Sequence, residues 1–133
     1  MAGFLDARDE VSECGETRMP EIKRAISIRQ PFVELILQKK KRWEYRSTPT
    51  RITERVYLYA SKKPVNNDAE WRKARCEKGT LPTGVIVGSV VIAGCEWFEK
   101  YNCYRYKLAS PKRLRKPLKP KSQPQPKFFR PRV

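Results

Sequence analysis

Residues 25–46 read Ala-Ile-Ser-Ile-Arg-Gln-Pro-Phe-Val-Glu-Leu-Ile-Leu-Gln-Lys-Lys-Lys-Arg-Trp-Glu-Tyr-Arg, and the changes of pattern inside them decide the fold. Ala25-Ile26-Ser27-Ile28 alternates as a strand does. Gln30-Pro31 follows, and the fixed φ of proline suits the first turn of a helix. Phe32, Val33, Leu35, Ile36 and Leu37 then give that helix an apolar face to turn toward a core. Trp43-Glu44-Tyr45-Arg46 alternates large apolar with charged residues, which predicts a half-buried strand carrying Glu44 and Arg46 on one face.

Between helix and strand lie four consecutive bases, Lys39, Lys40, Lys41 and Arg42. Cations at a helix C-terminus are favoured by the macrodipole, by roughly 0.3 to 1 kcal/mol each. That accounts for one or two of them. Four on a short connection repel one another and point to a polyanion nearby.

Outward from this segment the pattern stays that of a small mixed domain. Arg55 to Ala60 reads as a strand with Val56, Leu58 and Ala60 on one face and Tyr57 and Tyr59 on the other. It ends in the basic loop Ser61-Lys62-Lys63-Pro64. Asn67 to Lys78 fits a helix that Gly79 stops. Gly84 to Ala93 is apolar and β-branched on both faces, as a central strand is. Tyr104 to Leu108 alternates again, and Phe128-Phe129 is placed to supply a closing edge strand. Residues 111–126 hold five prolines and six bases, which argues against a central strand and for an extended basic crossing segment. About six short strands and two helices suggest an α+β domain built as a small mixed or mostly antiparallel β-barrel.

The chain has 133 residues, room for one domain, with 30 Lys and Arg against 14 Asp and Glu, no His and a formal net charge of +16. That excess favours phosphate backbones or acidic surfaces as partners. It is unevenly placed: residues 1–24 carry six acids and four bases, and the last 34 residues carry twelve bases and no acid. Residues 1–21 read as a disordered acidic leader, and the domain as residues 22–133. Cys14, Cys76, Cys95 and Cys103 form no C-x-x-C pair and have no His partner, so no metal or other cofactor is expected. No run approaches the roughly 20 apolar residues that cross a bilayer, and the leader lacks the apolar centre of a signal peptide. A monomeric cytoplasmic protein without membrane contact is the expectation.

The run Ala25 to Pro31, the helix after it, Lys41-Arg42-Trp43-Glu44-Tyr45-Arg46, and Ala60-Ser61-Lys62 at a strand end together resemble the ASCH family of the PUA-like superfamily, over roughly residues 23–130. The family signature G-x-K-x-x-E-x-R is matched at Lys41, Glu44 and Arg46. Its glycine position is Lys39, a departure that bears on the tight turn at the helix end or on the close approach of a ligand there. The resemblance implies a pseudobarrel with a cleft between strands and the first helix, and a role in binding RNA or nucleotides. Some members are hydrolases, among them amidohydrolases of an acetylated cytidine with the motif lysine as catalytic amine; those carry a hydroxyl residue where this chain has Glu44.

The residues themselves allow three readings. In the first, an RNA-binding module, Lys39, Lys40, Lys41, Arg42, Ser61, Lys62 and Lys63 contact phosphates while Glu44 and Arg46 line the cleft. In the second, a ribonuclease or nucleoside hydrolase, Lys41 is the amine and Glu44 its proton partner. In the third, a basic accessory protein docks on an acidic protein or on the ribosome. Glu44 and Arg46 also suit a plain ion pair with each other or with Lys41. Tyr57, Tyr59, Tyr104 and Tyr106 interleave with bases and are candidates to stack nucleobases, although aromatics on strands more often fill a barrel.

Overall fold

A computed structural model describes residues 22–120 and 128–129. The leader and residues 121–126 of the basic Pro-rich segment lie outside the described residues. Six strands, β1 (Ala25–Ile28), β2 (Trp43–Arg46), β3 (Arg55–Ala60), β4 (Val85–Phe98), β5 (Cys103–Leu118) and β6 (Phe128–Phe129), alternate with helices α1 (Phe32–Leu37) and α2 (Asp68–Ala74). The strands form one mixed sheet in the order β2-β5-β4-β3-β1-β6. β1 runs parallel to β3, and every other pair is antiparallel. Among the described residues no ladder joins β2 to β6, so the sheet is open where a closed barrel was expected.

α1 packs on one face of the sheet, where Ile26, Ile28, Val33, Ile36, Val56, Leu58, Val90 and Ile92 make the main core. These are the residues whose periodicity marked β1, α1, β3 and β4. Buried Gln30 organises the start of α1: its side-chain oxygen accepts the Glu34 N–H at 3.1 Å, and its amide donates to the Pro82 carbonyl at 3.1 Å. A smaller cluster of Ala25, Tyr59 and Ile86, with Tyr57 and Leu114 against it, is separate from that core.

Three elements depart from the sequence expectation. α2 ends at Ala74, before Gly79, because Arg75 takes the left-handed conformation (φ 57°) and closes the helix; Gly79 (φ 82°) serves the next turn. β4 runs on past Ala93 to Phe98, pairing with β5 through Phe98↔Cys103. The third correction is the largest. Residues 111–118, read as a crossing segment barred from a central strand, continue β5, which lies between β2 and β4. The prolines are tolerated because β2 covers only Tyr104–Lys107, so among the described residues the far edge of β5 beyond that point carries no ladder for Pro111 and Pro117 to break. Three register shifts along β4–β5 and a left-handed Ser110 (φ 50°) absorb the mismatch. Gly88 lies where this irregular strand meets α1. A Cβ there would stand 2.5 Å from the Lys112 carbonyl oxygen and 2.8 Å from Leu37.

Candidate nucleic-acid interface

The basic run owes its shape to the end of α1. Lys39 has φ 65°, its N–H donates to the Ile36 carbonyl at 3.0 Å, and the Lys40 N–H donates to the Leu35 carbonyl at 2.9 Å. This is the paired-bond helix ending that normally places glycine at the left-handed position. Lys39 keeps that turn and accepts the strain of a Cβ there. The turn presents Lys41 to the sheet and leaves Lys39, Lys40 and Arg42 exposed.

Lys41, Glu44 and Arg46 converge. The Glu44 carboxylate accepts from Arg46 Nε at 2.8 Å and stands 3.6 Å from Lys41 Nζ. The side chains are 17%, 11% and 15% exposed for Lys41, Glu44 and Arg46. A second Arg46 nitrogen donates to the Ser27 carbonyl at 2.7 Å, tying β2 to β1 across the open side of the sheet. Lys41 Nζ also lies 5.1 Å from the ring centres of both Phe32 and Tyr45, whose faces attract a cation. One carboxylate is thus bracketed by two cations at the junction of α1, β1 and β2, leaving a net positive charge.

Three clefts meet around this cluster. The first, about 440 Å³, is bounded by Ser27, Arg29, Phe32, Glu44, Arg46 and Ser61. The second, about 540 Å³, lies on the β5 side, with Lys39, Lys41, Arg42, Trp43 and Lys107 on its walls. The third, about 740 Å³, separates the basic run from the end of α2, with Lys40, Lys41 and Arg42 facing Arg72, Lys73 and Arg75. Lys40 donates to the Lys73 carbonyl at 2.7 Å. Lys62 and Lys63 are exposed on the loop beside the first cleft, and the Arg29 guanidinium holds that loop by donating to the Lys63 and Pro64 carbonyls at 2.8 and 2.9 Å.

Sequence reasoning passed over Ser27, Arg29 and Phe32 as cleft walls. They lie in and just after β1, and nothing in their spacing marks them apart from the family run Arg29-Gln30-Pro31. It also passed over the aromatics at the β4–β5 tip, Trp97, Phe98 and Tyr101, together with Tyr45 beside them. Of the four tyrosines weighed for stacking, Tyr59 and Tyr106 are buried. Burial pushes both hydroxyls above the ordinary tyrosine range, and that of Tyr106 donates to the Thr48 carbonyl at 2.7 Å. They fill the domain. Tyr57 and Tyr104 are half-buried, Tyr104 edge-on to Trp97.

Behind the clefts, buried Glu34 on α1 makes a two-pronged bond with Arg113 of β5 at 2.8 and 2.9 Å. That bond, with one from Gln38, holds the carboxyl below its ordinary value against the opposing effect of burial. Among the described residues no group of His, Cys, Asp and Glu is arranged to hold a metal ion, and no helix is long and apolar enough to cross a membrane.

No curated protein matches the chain. The sequence profile of the ASCH domain matches residues 26–123, an interval that spans β1 to β5, all three clefts and the Lys41, Glu44 and Arg46 cluster. By that match over most of its length, the chain belongs to the ASCH domain family.

Proposed function

We propose that this protein binds RNA through the clefts around Lys41, and that residues 22–133 act as one binding domain with the curled, pseudobarrel form that the family implies. The observation that carries the reading is the bracketing of one carboxylate by two cations at a junction where Lys39, Arg42 and Lys107 add further positive charge. Phosphates meet Lys41, Arg42 and Lys39. A base or ribose enters the cleft between Phe32 and Ser61, where Glu44 accepts and Arg46 donates hydrogen bonds. Lys62 and Lys63 widen the phosphate footprint on the far rim.

Hydrolysis of RNA or of a modified nucleoside is the second reading, supported by the 3.6 Å approach of the Lys41 amine to Glu44. The same carboxylate is also bound by Arg46, which suits a fixed wall better than a proton carrier. The deciding experiment measures binding of a labelled single-stranded RNA by fluorescence anisotropy, and turnover in parallel, for Lys41→Ala and Lys41→Arg. A binding site keeps most of its affinity in Lys41→Arg, because the charge is kept. An enzyme loses turnover equally in both, since a guanidinium does not give up its proton near neutral pH. Unchanged binding and turnover in both variants would overturn both readings.

A further inference from the structure

The basin between the basic run and the end of α2 has a built wall of aromatic rings. Tyr101, 55% exposed, stands edge-on to Tyr45 with ring centres 5.1 Å apart and to Phe98 at 5.1 Å. Tyr45 is 36% exposed. Beneath them the Arg105 guanidinium is stacked between Trp43 at 3.9 Å and Phe98 at 4.2 Å, and is pinned by Glu96. Tyr101 is therefore held by its neighbours, with Lys100 Nζ 5.8 Å from its ring centre, while more than half of the residue stays exposed to solvent. Rings so exposed at the tip of a long hairpin gain nothing from the main core, which does not include them.

Opposite this wall stand Arg42, Arg72 and Arg75, with Glu70 also lining the basin; Glu70 pairs with Lys73 at 3.4 Å, and among the described residues no carboxylate forms an ion pair with any of the three arginines. The macrodipole of α2 explains a cation in its last turn. It does not explain Arg42, which lies between α1 and β2. A rigid aromatic face across from a cluster of guanidinium groups is the combination that grips one unit of a single strand: the base stacks and the phosphate meets the arginines.

We propose that this basin is a second nucleotide subsite, occupied by a unit of single-stranded RNA adjoining the one in the first cleft, with its base against Tyr101 and its phosphate at Arg42, Arg72 and Arg75. The inference rests on the RNA-binding reading and adds to it a ligand class. Phe32 borders both the first cleft and the basin, so a strand passes from one to the other around a single side chain. The ligand is an oligonucleotide, not a free nucleoside, and it is unpaired, because the base faces of a duplex are covered by their neighbours.

The test uses the full chain, a labelled uridine hexanucleotide, a blunt RNA duplex of the same charge, and a polyphosphate of similar length. Tyr101→Ala is expected to weaken hexanucleotide binding by about fivefold or more, Tyr101→Phe to restore it, and neither to change duplex binding. Arg72→Gln is expected to flatten the dependence of log affinity on log salt by about 0.7. Wild-type binding that Tyr101→Ala leaves unchanged overturns the subsite while leaving the RNA-binding reading in place. Polyphosphate or duplex bound as tightly as the hexanucleotide overturns it too, since the wall would then play no role. Wild-type protein that binds none of the three overturns the subsite and the RNA-binding reading together.

Discussion

Removing the charge of Glu44 while keeping its shape, Glu44→Gln, is expected to move stability and RNA affinity in opposite directions. In the native protein its carboxylate meets Arg46 at 2.8 Å and Lys41 at 3.6 Å, and all three side chains are less than a fifth exposed. Taking the anion away leaves two cations close together in a poorly solvated place. Breaking a buried pair by removing one partner costs about 3 to 5 kcal/mol. Arg46 keeps its bond to the Ser27 carbonyl and Lys41 keeps its two ring faces, so roughly 2 to 3 kcal/mol is the expectation. For a domain of this size that lowers Tm by about 10 °C. For the ligand the sign is reversed. A phosphate bound at Lys41 would stand roughly 6 Å from the Glu44 carboxylate, where the repulsion is about 0.7 kcal/mol in water and rises as water is excluded. Because the glutamine carbonyl can still accept from the base or ribose, relieving the repulsion should tighten RNA binding by about threefold to tenfold at low salt, and by less at high salt. Thermal melts followed by circular dichroism give the first quantity and anisotropy titrations at two salt concentrations the second. Lower stability with unchanged affinity would refute the placement of RNA at this cluster and leave Lys41, Glu44 and Arg46 as a purely structural ion pair.

Four further outcomes are expected. Lys39→Gly should raise stability by up to about 1 kcal/mol in denaturant melts, since relief of a left-handed Cβ outweighs glycine's extra chain entropy; Lys39→Val should lower it. Glu34 has a depressed folded-state pKa, so its contribution is fully present above its ordinary value of 4.5 and is lost as pH falls through the lower folded value. Melts from pH 7 down to pH 3 should therefore show a shallower acid loss in Glu34→Gln than in the native protein, and parallel curves would remove Glu34 from the account. Replacing the exposed Arg115, Lys116 and Lys119 by glutamine should flatten the salt dependence of RNA binding by about 0.7 for each phosphate that is no longer neutralised; an unchanged slope would mean that this end of β5 touches no phosphate. A chain beginning at Ile22 should melt within a few degrees of the full one, and a much larger drop would mean that residues 1–21 pack on the domain.

The sequence by itself was enough for the elements whose pattern is local. β1, α1, β2 and β3 stand where apolar spacing placed them, and the Lys41, Glu44 and Arg46 spacing put three charged groups within reach, because a strand's two-residue period and a helix end fix side-chain direction over a few residues. The family was legible in the same stretch. What the tertiary structure decided was everything that depends on a neighbour. Pro111 and Pro117 lie within a strand because β2 is too short to cover that edge, and no local signal reports the length of a partner strand. Tyr59 and Tyr106 differ from Tyr101 only in what packs around them, and propensity is blind to that. The left-handed turn at Lys39 is imposed by the bonds of Lys39 and Lys40 back to Ile36 and Leu35, against the preference of a residue with a Cβ. The aromatic wall facing Arg72 and Arg75 joins residues from β2, the β4–β5 tip and α2. Such a site exists only once the chain has closed on itself, since the free energy that orders it comes from contacts between segments far apart in sequence.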